Sequence, residues 1–171
     1  MAKEIITITL NKSELLYDIE NKAWLTGRSR EDGTNDAAVS KMQAGDEDAD
    51  RNQMLRCITN AVATLRNNVA EWLGDASSNA ANDTLITDSV AHTIVLQMPT
   101  NYNTSVNNTV VAAMHQYVVN TALAEWFNMT GKEDAADYYT LAAANLQQLK
   151  DAIYKRVRPT RPTPTTGMSH D

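Results

Sequence analysis

Apolar positions recur along this chain in two rhythms, and the switches between them mark its elements. Residues 4 to 10 (Glu-Ile-Ile-Thr-Ile-Thr-Leu) alternate, with Ile6, Ile8 and Leu10 on one side, which predicts a short strand. From Asn11 the period lengthens. Leu15, Ile19 and Ala23 recur at helical spacing, Leu16 and Trp24 widen the stripe, and Gly27 is the expected stop. Asn11 with Glu14 predicts a capping box at the helix start. Residues 27 to 46 are polar and glycine-bearing and read as a long loop, with a short helical turn around Asp36 to Gln43.

A second helix opens in an acidic stretch, Asp46-Glu47-Asp48-Ala49-Asp50, whose carboxylates suit the positive end of a helix. Met54, Ile58, Val62, Leu65, Val69 and Trp72 then step by three or four, and Gly74 stands where a C-terminal glycine cap belongs. Residues 75 to 83 are loop-like. Alternation returns from Thr84 to Met98, with Val90, Ile94, Leu96 and Met98 sharing a face, so a β-hairpin or a pair of short strands turning near Asp88-Ser89 is expected.

The last third predicts a helical hairpin. One helix starts among Thr100 to Thr104, runs to about Met129 and carries Val106, Val110, Ala113, Tyr117, Thr121 and Ala124 on one face. Val111, Met114, Val118, Ala122 and Trp126 widen that face, so this helix should be the most buried. The next spans Gly131 to Val157, opened by a capping box of Thr130 and Glu133 and lined by Ala135, Tyr138, Ala142, Leu146, Leu149 and Ile153. At ~1.5 Å per residue each would be about 40 Å long. From Arg158 onward Pro159, Pro162 and Pro164 forbid helix, and an extended, polyproline-like basic tail is expected.

The fold class read from this pattern is mainly α: a four-helix bundle-like domain over residues 1–157 with a long C-terminal antiparallel helix hairpin, a short N-terminal strand and a small β-hairpin. Residues 158–171 form the tail. At 171 residues, 43% apolar and 21% charged, the chain suits one globular core. Its net charge of −6 opposes a phosphate-gripping surface. The charge is uneven, with an acidic knot at 46–50 and a basic C-terminus at Lys150, Lys155, Arg156, Arg158 and Arg161. Met1-Ala-Lys-Glu lacks a signal-peptide core and no window reaches a membrane span, so a cytoplasmic, soluble product is expected.

Chemistry is harder to find. The aspartates at 46, 48 and 50 alternate as in a calcium loop, but Arg51 replaces the turn glycine and Cys57 the bidentate glutamate. Single Cys57 excludes a multi-cysteine zinc site, and its place in an apolar stripe reads as core. His92, His115 and His170 form no Glu-x-x-His pair, and His115 reads as a core or interface residue. Ser169-His170-Asp171 has the letters of a triad, but adjacent residues on a tail cannot adopt its geometry. The expectation is no enzyme, no metal and no cofactor. Trp72, Trp126 and the Tyr138-Tyr139 pair suit either core edge or subunit interface. The N-terminal strand would offer backbone groups to a neighbour unless it pairs within the chain, as it equally well could.

The segments Tyr117-Val-Val-Asn-Thr-Ala-Leu-Ala-Glu-Trp126-Phe127, Thr130-Gly-Lys-Glu133 through Tyr138-Tyr139, and Leu149 to Arg158-Pro159 resemble head–tail connector proteins of tailed bacteriophages, also called adaptor, head-completion or neck proteins. Ile5 to Lys12 and Thr26-Gly27-Arg28 look similar to structural proteins of Bacteroides-type phages or prophages. The connector-like part covers residues 102 to 160.

The resemblance implies a virion neck subunit made in the bacterial host cytoplasm. It would form a homo-oligomeric ring of about a dozen copies, docked to the portal and neighbouring neck or tail proteins. DNA would pass through the lumen without sequence-specific binding, and no membrane is involved. Ile6, Ile8, Leu10, Trp126, Arg156, Arg158 and Arg161 are the candidate partner contacts. A cytoplasmic helical bundle of regulatory or chaperone-like type, binding one protein, is the alternative.

Overall fold

The computed structural model describes residues 4–43, 48–74 and 90–160. Strand β1 (Glu4–Asn11) leads directly into α1 (Lys12–Ser29), and α2 (Asp36–Met42), α3 (Asp48–Asn68), β2 (Ala91–Met98), α4 (Asn107–Thr130) and α5 (Lys132–Ile153) follow. Single 3-10 turns occupy Ala70–Trp72 and Thr104–Val106. The chain is thus mainly helical, with a C-terminal antiparallel helix hairpin and a small antiparallel β element, as the apolar rhythm predicts.

Helix α4 is the axis of the molecule. Every residue from Tyr117 to Ala124 is buried, an unbroken run longer than two turns of ~3.6 residues, so no face of that stretch meets solvent. Three other helices cover it. Contacts Asp18–His115 and Lys22–Asn120 set α1 parallel to α4, whereas Gln53–Met129 and Asn60–Glu125 set α3 antiparallel. Asn120–Asn145 and the stacked Phe127 and Tyr138 rings, 5.2 Å apart, set α5 antiparallel. Short α2 closes the end where α4 turns into α5, and its Met42 carbonyl accepts the Trp126 indole N–H at 2.9 Å.

The sheet closes the opposite end. β1 and β2 pair antiparallel with Ile6 opposite Leu96, Ile8 opposite Ile94 and Leu10 opposite His92. Ile8, Leu10, Ile94, Leu96 and Met98 all join the core beneath them. The N-terminal strand therefore pairs within the chain, and the turn expected near Asp88-Ser89 lies outside the described residues.

Element boundaries depart from the sequence reading where tertiary contacts intervene. Gly27 does not end α1: the helix continues to Ser29, and a Cβ at Gly27 would lie 2.7 Å from Gln43 Cγ. That glycine admits the end of α2 to the surface of α1. Neither predicted capping box forms. Asn11 occupies the N-cap position of α1 but makes no side-chain cap, its backbone being held in the sheet opposite Ala91. Thr130 is the last residue of α4 and its hydroxyl donates back to the Trp126 carbonyl at 3.0 Å, so Gly131 takes the N-cap of α5 and Glu133 turns to Arg30.

Helix α3 stops at Asn68, short of Trp72, and Gly74 lies against β2, where its N–H donates to the Val95 carbonyl at 2.8 Å. Helix α5 stops at Ile153, before Val157, because residues 155–157 pair with residues 101–103. The long polar stretch after α1 contains α2, a full helix in place of a turn.

Phe127 is fully buried at the centre of this arrangement. Phe127→Ala should lower unfolding free energy by about 3–5 kcal/mol, read from a urea midpoint shift at constant m-value, while Val111→Ala on the same helix changes it little.

Candidate functional site

Four polar residues at intervals of four, Asp18, Lys22 and Thr26 on α1 and Arg30 at its C-cap, each reach another helix. The Asp18 carboxylate lies 2.7 Å from His115 Nε2 on α4. Lys22 Nζ donates to Gln116 Oε1 at 2.9 Å and to Asn120 Oδ1 at 3.3 Å, and Asn120 passes the chain on by donating to Asn145 Oδ1 on α5 at 2.8 Å. Thr26 Oγ1 and the Tyr138 hydroxyl are 2.7 Å apart. Arg30 donates to Asp134 Oδ1 at 2.6 Å and to Glu133 Oε2 at 3.1 Å. A four-residue step overshoots one helical turn by about 40°, so the row swings by about 120° across its length. That precession is why it begins on α4 and finishes on α5.

Electrostatics along this row are structural in character. Burial pulls the Lys22 ammonium below its ordinary pKa, and Asp18 one turn earlier partly restores it. Arg30 is pushed the other way by its hydrogen bond and charge contact with Asp134, aided by Glu133. Asp134 is only 8% exposed and Glu133 lies in solvent, so Asp134 is the partner that needs the guanidinium. Around them lies a cleft of about 340 Å³ walled by Asn35, Val39, Met42 and Gly131. Its charges face each other across the joint that holds α2.

A smaller cleft of about 330 Å³ collects Ser13, Glu14 and Tyr17 beside the Asp18–His115 pair. Nucleophilic catalysis would require the imidazole to accept the hydroxyl proton. The Ser13 hydroxyl makes no hydrogen bond to His115 among those described. Cys57 is buried. Burial, with Glu125 adding to it, pushes its thiol from 9.0 up to about 12, far from the thiolate a nucleophile needs. Among the described residues no three His, Cys, Asp or Glu side chains converge as metal ligands, and no helix is long and apolar enough to cross a membrane.

The candidate partner residues divide by depth. Ile8 and Leu10 are core, Ile6 is partly buried against it, and Trp126 is 4% exposed with its indole N–H taken by Met42. These four do not present a docking surface; they shape the domain. β1 points its solvent side outward through Ile5, Thr7 and Thr9 instead. Arg156 is an anchor: its Nη1 donates to the Ile153 carbonyl at 2.7 Å and the Lys155 carbonyl at 3.1 Å, capping the end of α5. Main-chain bonds Asn103 N–H to Lys155 O at 3.2 Å and Val157 N–H to Asn101 O at 2.8 Å fix the segment on either side. Arg158 follows, exposed; Arg161 and the Ser169-His170-Asp171 run lie outside the described residues.

The row at 18, 22, 26 and 30 is what the sequence reading overlooked. Its signal was present, since each member follows by three a residue of the buried stripe at 15, 19, 23 and 27. A second missed feature is an exposed patch on α1, where Arg28 stacks 5.0 Å over the Trp24 ring and Tyr17 stands in solvent.

Two measurements follow from this geometry. Arg30→Ala should lower the urea midpoint more than Glu133→Ala, because only the former leaves the buried Asp134 carboxylate unpaired. Stability referable to Cys57 is fully present below pH 9 and lost as pH rises toward 12, since the unfolded thiol ionises first. Unfolding curves of Cys57→Ala should therefore fall less steeply between pH 9 and 11 than those of the parent.

Comparison with protein-family models, with curated proteins and with solved structures finds no match.

Proposed function

We propose that this chain is a non-enzymatic structural subunit of the tailed-phage neck, a head–tail connector that forms a ring on the portal and joins capsid to tail. The observation that carries the reading is the end of the α4–α5 hairpin. A stiff, cross-linked helix pair delivers a basic, proline-bearing segment whose root is fixed by the Tyr102–Arg156 bridge and whose Arg158 is left exposed. Such a root transmits a docking contact to the bundle without a hinge.

Further support comes from what the polar side chains do. The Asp18, Lys22, Thr26 and Arg30 row joins helices together, and in the clefts beside it Asp18 is paired with His115 and Arg30 with Asp134. A net charge of −6 suits a passage through which DNA slides, because acidic surfaces repel phosphates. Tyr17, Trp24 and Arg28 on α1 are the residue types that dominate protein interfaces, and they suit contact with a neighbouring subunit. The virion neck is the location this reading assigns, with portal and adjoining neck or tail proteins as partners.

Electron microscopy of the purified chain with a tailed-phage portal protein tests the proposal. Rings of about a dozen copies seated on the portal are expected, and Arg158→Glu should reduce their occupancy while leaving the unfolding midpoint of the isolated chain unchanged. A protein that never joins a portal at micromolar concentration would count decisively against it.

A further inference from the structure

Among the described residues β1 forms an open edge of the sheet, and the hydrogen-bond parity identifies which groups line it. The Lys12 N–H donates to the Val90 carbonyl at 3.0 Å, extending the ladder one step beyond Asn11–Ala91. In an antiparallel pair, alternate residues direct both backbone groups to the partner strand and the others direct them away. The even residues of β1 therefore bond to β2. On β2 the odd carbonyls face away, as Val95 and Thr93 confirm by accepting from the Gly74 N–H at 2.8 Å and the Arg66 guanidinium at 3.3 Å. The same parity directs the N–H and C=O of Ile5, Thr7 and Thr9 away from the sheet. None of these groups has a hydrogen-bond partner among the described residues.

We propose that this edge is a self-pairing surface, at which two copies of the chain join β1 to β1 antiparallel about Thr7 into one four-stranded sheet. A second copy suits the edge because Thr7 lies between Ile6 and Ile8, so a two-fold axis there sets isoleucine beside isoleucine on the inner face. Ile5 opposes Thr9 of the second copy, Thr7 opposes Thr7, and Thr9 opposes Ile5, each pair exchanging both of its backbone hydrogen bonds. All three are β-branched, and Thr–Thr and Ile–Thr neighbours are favourable cross-strand pairs.

The devices that protect natural edges are missing between Ile5 and Thr9: the stretch has no lysine, proline or inward-pointing charge. On the inner face the same register sets Ile6 beside Ile8 of the second copy. Ile6 is the partly buried member of the inner apolar row, and this contact completes its cover. Ile5, 65% exposed on the outer face, gains a neighbour too.

A two-fold contact of this kind closes at two copies. It uses backbone groups of β1 that the neck reading does not invoke, so neither reading requires the other.

The test uses the full chain and charge exchange at the centre of symmetry. Light scattering over a concentration series should show the parent approaching twice the 18.9 kDa chain mass. Thr7→Lys and Thr7→Glu each place like charges directly opposite one another, so each alone should raise the dissociation constant several-fold. An equimolar mixture of the two variants should restore pairing. The Thr7 side chain faces solvent, and the melting temperatures of both variants should match the parent's.

A parent of single-chain mass throughout the series overturns the proposal. So does an assembly whose mass both variants leave unchanged, or a mixture that pairs no better than its components. Portal binding is a separate measurement, and its failure would leave this result standing.

Discussion

Everything in this fold follows from one constraint: α4 has no solvent face along its middle two turns. A helix apolar all round must be enclosed, and one neighbour cannot enclose it. Helices α1, α3 and α5 meet that demand together, while α2 and the sheet close the two ends. The order of elements along the chain then has little freedom, because short connections place α5 antiparallel to α4 and β1 leads directly into α1.

Apolar burial sets how much surface is covered, but it does not choose among nearby registers of helix on helix. Polar groups do. Asn120 is buried and must satisfy its amide, and only one placement gives it both the Lys22 donor from α1 and the Asn145 acceptor on α5. Asp134 imposes a comparable demand at the other end of the row. Its carboxylate is shielded from water and held by Arg30, which crosses from α1. The solvent-exposed Glu133 contact adds little by comparison. A one-turn slip of α1 would leave several of these groups unpaired at once, so the row sets alignment more than it adds net stability.

The two ends of the bundle differ in character. At the α2 end, Gly27 and Gly131 let side chains of the connecting segment approach closely, and the charges are paired inward. The sheet end gathers the strand edge, the Trp72–Tyr154 edge-to-face contact and the anchored C-terminal segment. Exposed apolar and aromatic side chains occur toward both ends, with Tyr154 and Val157 near the sheet and Trp24, Met129 and Tyr139 nearer α2.

The four long helices, the positions of β1 and β2, the hairpin of α4 and α5 and the burial of α4 were legible in the sequence because they rest on periodicity, which is local; α2, a fifth and short helix, was expected only as a turn. The row at 18, 22, 26 and 30 was legible in principle for the same reason, though only the tertiary structure shows what each member touches. Helix ends were not legible. Asn11, Thr130 and Glu133 carry the right letters for caps, but the sheet, the preceding helix and Arg30 compete for the same groups and win. Gly27 and Gly74 read as stops, yet one sits inside a helix and the other against a strand, because close approach also demands glycine. The depth of Ile8, Leu10 and Trp126 was likewise undetermined, since a residue's exposure depends on what the rest of the chain places over it.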